Sequence, residues 1–499
     1  MHWHWASVIV GVGCLIPIAQ YAFGQIAFVG QAWINVAYLL GFLCSMLVGA
    51  HWERLFTCQC ADFLFSALCL AAIASVGFQL HQWLQLDSLE FFVLRALDRP
   101  YGNFGQPNQL ASLLVLATLG CGWGFWRKML AARSALLLAC FFLFGIALTH
   151  SRTSWLNMTV IFLVMGWWGW RQSRIKLIAA AIGLAGFLVT CIFTTPWLFE
   201  LLQLHGTFDL SNRLSENVRP LAWRLLLDAV WQRPFFGYGW GQTGIAHLQT
   251  AAEYPYIGVL FEQAHNLFID LLIWNGIPIG LSICIALVGW FVTAVTLVKN
   301  IGDALVLLCL SALGVHAMLE YPLHYAYFLL PAGLMIGVLH TRLGFNVVFS
   351  TAPKISRCLW LAAVVMLAVT VRDYARVESS FTDLRFEKAR IVAKQAGMPP
   401  EVWVLTQLRE SIVLGRTEAR ANMSADELNW MRSVTQAYPS ANNIYKLARA
   451  LALNQRGTEA QLWIKTLCKV APLAYCEGTK ELWKEQAIKE PAIAAVPWP

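Results

Sequence analysis

The chain has 499 residues, of which 58% are hydrophobic and 13% are charged, and its mean hydropathy is +0.57. Charged residues make up about a quarter of an ordinary soluble domain, so this composition excludes a soluble globular protein. The apolar residues lie in runs that are long enough to cross a bilayer, which takes about 20 residues each. The sequence therefore predicts a polytopic membrane protein with an all-α fold.

The charge distribution argues against nucleic acid as a partner. There are 36 Lys and Arg against 28 Asp and Glu, a net charge of +8, but many of the basic residues cluster between apolar runs, as at Arg127, Lys128 and Arg133. Such clusters are typical of cytoplasmic membrane flanks, and they predict membrane lipid as a partner. The thirteen cysteines are mostly scattered in apolar runs and show no zinc-type spacing, so they indicate no zinc site. We expect no cofactor.

In chain order, the apolar runs predict about eleven membrane crossings, the first of them a retained N-terminal span. They lie near residues 6–24, 32–50, 61–81, 109–126, 134–150, 154–170, 176–194, 266–298, 303–319, 324–341 and 358–372. A cytoplasmic N-terminus leaves eleven basic residues in the inside loops and three in the short outside loops. The positive-inside rule therefore favours this orientation and places the C-terminus outside. The run at 266–298 is interrupted at 275–278 and predicts a tilted or broken helix.

Four segments follow from this pattern: N-terminal membrane helices at 1–194, a large periplasmic loop at 195–264, C-terminal membrane helices at 265–372, and a helical periplasmic region at 373–499. In the last segment, Ser424 and Glu427 have the spacing of a capping box. Apolar residues from Ile444 to Leu467, broken at Gly457, predict one tetratricopeptide-like helical hairpin. Cys468 and Cys476 form either a disulfide or two buried helical thiols.

Four polar groupings lie at predicted outer helix ends or in the long loop. The first contains Gln106 and Asn108, whose amides either donate to a substrate or cap a helix entrance. The second contains Arg152, which either acts in a site or extends to lipid headgroups.

The third grouping consists of the loop arginines Arg213, Arg219, Arg224 and Arg233. A guanidinium pairs with phosphate oxygens through two hydrogen bonds and stays charged, although a solvated basic loop surface is the ordinary interpretation. The fourth contains His265, whose neutral imidazole could accept a hydroxyl proton, and Glu320 with Tyr321, which could instead be interfacial anchors.

Taken in order, these segments resemble the bacterial protein O-oligosaccharyltransferases, the pilin-glycosylating branch of the O-antigen ligase and O-antigen polymerase superfamily. The motifs that carry the resemblance are Gly105-Gln106-Pro107-Asn108-Gln109-Leu110-Ala111, Ser151-Arg152-Thr153-Ser154-Trp155, Arg219 with Trp223, Arg233-Pro234-Phe235-Phe236-Gly237-Tyr238-Gly239-Trp240-Gly241, His265-Asn266-Leu267-Phe268 and Glu320-Tyr321-Pro322-Leu323. They cover roughly residues 95 to 340.

The resemblance implies a GT-C-like O-antigen ligase fold in the bacterial inner membrane, with the active site facing the periplasm. It implies an inverting, metal-independent transfer of a preassembled glycan from undecaprenyl pyrophosphate to a Ser or Thr hydroxyl of a pilin or another exported protein. The residues carried over are Arg152 and Arg219 on the pyrophosphate, His265 on the acceptor, Gln106, Asn108 and Tyr321 in the cavity, and either Arg213 or Arg224 as a further loop arginine. The alternatives are an O-antigen ligase acting on lipid A core and, from another class, an anion transporter.

Overall fold

A computed structural model describes residues 1–86, 99–204, 218–391 and 398–499 of the chain. Helices dominate these ranges, as the composition predicts. In chain order the elements are β1 (His2–His4), α1 (Trp5–Gly13), α2 (Leu15–Ala22), α3 (Val29–Leu55), α4 (Gln59–Trp83), α5 (Pro107–Trp126), α6 (Ala132–Thr149), α7 (Arg152–Arg171), α8 (Ile175–Leu201), α9 (Arg219–Gln232), α10 (Thr243–Ala251), α11 (Leu267–Leu297), α12 (Ile301–Ala317), a 3₁₀ turn (Pro322–His324), α13 (Ala326–Arg342), β2 (Val347–Ser350), α14 (Pro353–Lys388), α15 (Thr406–Arg416), α16 (Ala425–Ala437), α17 (Ala441–Leu453), α18 (Gly457–Val470), α19 (Leu473–Lys489) and α20 (Pro491–Ala494).

Ten of the eleven predicted crossings each coincide with one helix, and the first coincides with two. Within the described ranges, eight helical segments are long and apolar enough to cross a membrane. They are Trp5–Ala22, Val29–Leu55, Gln59–Trp83, Pro107–Trp126, Ala132–Thr149, Ile175–Leu201, Leu267–Leu297 and Lys354–Lys388. Helices α7, α12 and α13 match the other three predicted crossings. The all-α polytopic fold is confirmed, and the number of crossings stays a prediction.

Several helix boundaries differ from the expected ones, as three examples show. The first predicted span is two helices, α1 and α2, which meet at Cys14. Helix α8 continues through Pro196 to Leu201, beyond the expected end at 194. Helix α14 runs over 36 residues, well past 372, because polar residues continue the helix after the apolar run has ended. The four-segment division of the chain stays a prediction.

The chain forms two compact units, and the first comprises Met1–Ser7, Phe42–Glu216 and Gly289–Thr351. Its apolar core is built mainly by α4, α5, α6 and α12. Helices α3 and α13 cross closely in this unit, because a Cβ on Gly337 would lie 2.1 Å from the Met46 carbonyl oxygen and one on Gly49 would lie 2.3 Å from the Leu334 carbonyl oxygen. Small residues at such a crossing let membrane helices pack backbone to backbone. Strands β1 and β2 pair antiparallel, with His2 opposite Ser350.

A buried ionic cluster also belongs to the first unit. Arg342 donates to Asp303 over 2.5 Å and to Glu53 over 3.1 Å, and both carboxylate side chains are at most 4% exposed. Arg127 pairs with Asp62 at 2.9 Å in a more exposed position. The Arg342 side chain thus links its own helix to the segments around Glu53 and Asp303. Loss of this cation would be costly, because it would leave both carboxylates buried without a partner.

The second unit comprises Val8–Gly41, Asn217–Val288 and Ala352–Pro499. The predicted capping box is confirmed, with reciprocal bonds between Ser424 and Glu427 at the start of α16. Helices α17 and α18 form the predicted hairpin, and its apolar face joins a core that also includes α9, α10 and the first part of α11. Of the two alternatives for the cysteines, the structure has the disulfide between Cys468 and Cys476.

Candidate active site

In the first unit, a chain of hydrogen bonds joins two of the sequence motifs to the backbone just before a third. Arg99 donates to the carbonyl oxygen of Thr149 over 2.7 Å and to Oδ1 of Asn108 over 3.2 Å. Asn108 in turn donates to Oε1 of Glu320 over 3.1 Å. Glu320 is 4% exposed, so its carboxylate is a buried acceptor that orients the Asn108 amide. The Asn108–Glu320 bond joins residues that are 212 positions apart.

Arg152 is the first residue of α7 and is exposed. Ser151 caps this helix by accepting from the Ser154 amide, at 3.4 Å. The carbonyl of Thr149, three residues before Arg152, is the one that Arg99 holds. Arg152 therefore begins a helix, and the bond from Arg99 to the Thr149 carbonyl restrains the backbone just before that helix.

Gln106 and Tyr321, the other candidates in this unit, also have defined positions. Gln106 precedes α5, and its Oε1 accepts from Gln109 at 3.2 Å. Tyr321 is half-buried and stacks on Tyr325, with 6.0 Å between the ring centroids, while His324 approaches it edge-on at 5.9 Å. Tyr321 is therefore part of an aromatic group, and its role in a substrate cavity or as an interfacial anchor stays a prediction.

In the second unit, the aromatic and glycine-rich motif after α9 docks onto the break in α11. Gly276 has φ 71° and ψ 176°, which interrupts the helix as predicted. The amides of Tyr238 and Gly239 donate to the carbonyls of Ile273 and Trp274 over 2.8 and 3.1 Å. Gly237 is required here, because a Cβ would lie 2.4 Å from the Ile273 carbonyl oxygen. The motif thus satisfies the main-chain groups that the break leaves without helical partners.

Side chains reinforce the same junction. Gln20 donates to the Trp274 carbonyl over 2.9 Å and accepts from the Trp240 amide over 2.8 Å. The guanidinium of Arg233 lies over the Tyr238 ring, 4.6 Å from its centroid, and a planar cation in this position is attracted by the ring face. These contacts give the motif a structural role, one that its glycines and aromatic residues alone did not reveal.

His265 lies two residues before α11 and has a left-handed backbone, with φ 52°. The carbonyl of the preceding Ala264 accepts from Nε1 of Trp223 at 2.7 Å, and the Ala264 amide donates to Oδ1 of Asp270 at 2.9 Å. Phe261 meets the imidazole edge-on, at 5.6 Å between centroids. The backbone before His265 is therefore held by two side chains from two different helices, a function that sequence reasoning did not assign to Trp223 or Asp270.

A buried histidine supports the loop that leads to His265. His247 on α10 is 1% exposed, and its Nδ1 accepts from the Phe261 amide at 2.9 Å. Burial lowers the pKa of His247 to about 4. In the neutral state, this imidazole fixes the backbone four residues before His265. The amides of Ile257 and Gly258 donate to the Lys469 carbonyl over 3.3 and 3.0 Å, which ties the same loop to α18.

The loop arginines differ in position. Arg219 is the first residue of α9 and is partly buried, while Arg224 on the same helix is exposed. Five residues correspond to about 140° around a helix, so these two side chains leave different faces. The predicted alternative Arg213 lies outside the described residues. That Arg152, Arg219 and His265 act in one cavity stays a prediction.

Within the described ranges, no group of three or more His, Cys, Asp or Glu residues is arranged to hold a metal ion. The candidate functional groups in the two units are guanidinium groups, side-chain amides and the imidazole of His265. These groups can neutralise and orient an anionic leaving group and can accept a proton.

Three family models match successive parts of the chain. Protein glycosylation ligase matches residues 100–123, O-Antigen ligase matches residues 135–284, and the C-terminal model of the virulence factor membrane-bound polymerases matches residues 304–473. The first match contains Gln106 and Asn108, and the second contains Arg152, Arg219 and His265. The helical fold and these partial matches are typical of multi-pass membrane glycosyltransferases of the O-antigen ligase type.

Two curated relatives narrow this class. The General O-oligosaccharyltransferase of Acinetobacter baylyi is 30% identical over 468 residues, which cover 91% of this chain and 81% of the relative. The ComP-specific O-oligosaccharyltransferase of the same organism is 30% identical over 336 residues, which cover 66% of this chain and 60% of the relative. The chain belongs to the bacterial protein O-oligosaccharyltransferase family. It is a glycosyltransferase of protein O-glycosylation, and its substrates are a lipid-linked glycan donor and a protein acceptor.

Proposed function

We propose that the protein transfers a preassembled glycan en bloc from undecaprenyl pyrophosphate to a Ser or Thr hydroxyl of a pilin or another exported protein, at the periplasmic face of the inner membrane. The observation that carries this proposal is the similarity to a General O-oligosaccharyltransferase over 91% of the chain. Pyrophosphate is already an activated leaving group, so the protein has to neutralise developing negative charge and position the hydroxyl.

In the proposed reaction, the acceptor oxygen attacks the anomeric carbon from the side opposite the pyrophosphate and inverts its configuration. The bond between the anomeric carbon and the pyrophosphate oxygen breaks, undecaprenyl pyrophosphate departs, and the hydroxyl proton passes to the imidazole of His265. Arg152 and Arg219 bind the pyrophosphate oxygens with their forked guanidinium groups. The reaction uses no metal.

Gln106, Asn108 and Tyr321 are proposed to contact the donor glycan. The amide of Asn108 is already oriented by Arg99 on its oxygen and by Glu320 on its nitrogen, so it is a prearranged group for hydroxyl recognition. Arg224 is the proposed additional arginine if Arg213 does not take that role, and its exposure is consistent with contact to a substrate.

Two observations support a periplasmic C-terminus. Disulfides persist in oxidising compartments and are rare in the cytosol, and the region after α14 contains the Cys468 to Cys476 bond. The distribution of basic residues between predicted loops favours the same orientation. Reporter fusions after Leu201 and after Lys388 test it, because cytosolic activity of the fused reporter at either position contradicts the proposed orientation.

Transfer is tested with purified protein in vesicles that have no ion gradient, a synthetic undecaprenyl-pyrophosphate-linked glycan and a purified pilin acceptor. Mass spectrometry of the pilin should detect the intact glycan with wild-type protein. We expect His265→Ala to abolish transfer and Arg152→Lys to reduce it at least about 100-fold, because an ammonium lacks the forked geometry. Arg171→Lys, at the opposite end of the same helix, is the matched control and should stay active. Normal activity of His265→Ala or Arg152→Lys removes that residue from the site.

O-antigen ligase activity is the second candidate, and the match of residues 135–284 to the O-Antigen ligase model favours it. Both activities use the same donor and differ in the acceptor. Expression in a ligase-deficient host, with and without a pilin, separates them. Modified lipopolysaccharide together with unmodified pilin contradicts the proposed protein acceptor.

A further inference from the structure

The peptide unit before His265 is held more firmly than an ordinary loop. Ala264 is 1% exposed, and side chains engage both of its main-chain polar groups. Trp223 of α9 donates its indole N–H to the carbonyl, and Asp270 of α11 accepts the amide N–H. Because the amide belongs to the peptide before Ala264 and the carbonyl belongs to the peptide after it, the two bonds together restrain the peptide planes on both sides of this residue.

This restraint coincides with an unfavourable backbone conformation. His265 has φ 52°, which lies in the left-handed region that side chains with a Cβ rarely adopt. Such residues persist when their surroundings determine the conformation. On the other side, Asn266 accepts from the amides of Phe268 and Ile269 over 3.1 and 3.3 Å. The main chain is therefore restrained on both sides of His265, and these contacts rather than the residue's own backbone preference determine its conformation.

The carboxylate in this arrangement is itself held in place. Asp270 is 2% exposed, and its Oδ1 also accepts from the Thr243 hydroxyl over 2.6 Å. That hydroxyl accepts from Nε1 of Trp274 over 2.8 Å. The network therefore joins α10, α11 and the loop between them. The two groups that donate to Asp270 are neutral, and His265 is an electrostatic neighbour of this carboxylate. A buried acid is costly to maintain, which argues for a specific role within an otherwise apolar stretch.

We propose that Trp223 and Asp270 are positioning residues, which fix the Ala264 peptide so that His265 presents its imidazole to the acceptor hydroxyl. This inference rests on the role of His265 given under the proposed function. The bonded main-chain groups of Ala264 are buried, so we expect loss of these bonds to slow the chemical step and to leave substrate binding nearly unchanged. A displacement of about 1 Å at a catalytic group can lower a rate about 100-fold.

The test measures kcat and KM for both substrates, in the vesicle assay with lipid-linked donor and pilin, together with the melting temperature of each variant. Trp223→Phe keeps an aromatic ring and removes the indole donor. Asp270→Ala removes the acceptor, whereas Asp270→Asn keeps a carbonyl oxygen at the same place. We expect Trp223→Phe and Asp270→Ala to lower kcat at least about tenfold with KM values within about threefold of wild type, and Asp270→Asn to recover most of the loss.

Trp430→Phe is the matched control, because it removes an indole N–H that bonds Glu410 at 2.7 Å, in the C-terminal helices. It should retain kcat. The positioning role is overturned if Trp223→Phe and Asp270→Ala keep the wild-type kcat, or if their loss of activity only parallels a lowered melting temperature. It is also overturned if Asp270→Asn is as inactive as Asp270→Ala. An active His265→Ala variant instead removes the proposed function of His265, so the two failures are distinguishable.

Discussion

The break in α11 allows a sharp test of how the glycine-rich motif is held. Gly276→Ala places a Cβ 2.5 Å from the carbonyl carbon and oxygen of Phe235 and 2.8 Å from the Phe236 amide nitrogen. All three are backbone atoms, so no side chain can rotate away. With ψ near 180° at positive φ, residue 276 also occupies a region essentially confined to glycine, and a Cβ there adds about 1–3 kcal/mol of strain.

Relief of this contact requires the motif to move away from α11. That movement breaks three main-chain hydrogen bonds, those from Tyr238 to Ile273, from Gly239 to Trp274 and from Ile277 to Pro234. This movement relieves the strain but loses the three bonds, which at about 0.5–1.5 kcal/mol each amount to about 1.5–4.5 kcal/mol. The free energy of local opening should therefore fall by about 3 kcal/mol.

Hydrogen exchange of the Tyr238 and Gly239 amides measures this change directly. Because a tenfold change in exchange corresponds to about 1.4 kcal/mol, Gly276→Ala should accelerate both amides by about 100-fold or more. Gly289→Ala is the control on the same helix, since a Cβ there meets nothing within 4 Å, and it should leave both amides unchanged. Equal protection in the two variants refutes the docking argument.

Three further predictions concern the rest of the chain. Burial lowers the pKa of His247 to about 4, from about 6.5 in the unfolded chain. Its contribution to the free energy of unfolding, about 3 kcal/mol, is therefore complete above pH 6.5 and is lost as pH falls towards 4. Between pH 8 and 4, the melting temperature should fall less steeply in His247→Asn than in the wild type. Reduction of the Cys468 to Cys476 disulfide should destabilise the C-terminal helices by about 2.5 kcal/mol. In intact cells, a thiol reagent should label Cys468 and Cys476 only after treatment with a reductant. Arg342→Met leaves two buried carboxylates without their cation and should lower the free energy of unfolding by about 3–5 kcal/mol, which chemical denaturation in micelles measures; a loss below 1 kcal/mol contradicts the buried cluster.

Much of the fold was determined by local sequence pattern. Hydropathy predicted the membrane helices because each apolar run must bury its own backbone hydrogen bonds in lipid. The capping box at Ser424 and the hairpin around Gly457 were also predictable, because both depend on residues only a few positions apart. The order of the motifs also indicated the family, which the comparisons confirmed.

The tertiary structure alone decided which distant groups meet. The sequence showed that Asn108 and Glu320 were present, but it did not predict the hydrogen bond between them. It likewise showed an acid at Asp270 but did not predict which groups that acid would bond. The choice between a disulfide and two buried thiols at Cys468 and Cys476 likewise depended on how α18 and α19 pack. A hydrogen bond between residues far apart in the chain depends on the relative placement of whole helices, and no local periodicity encodes that placement.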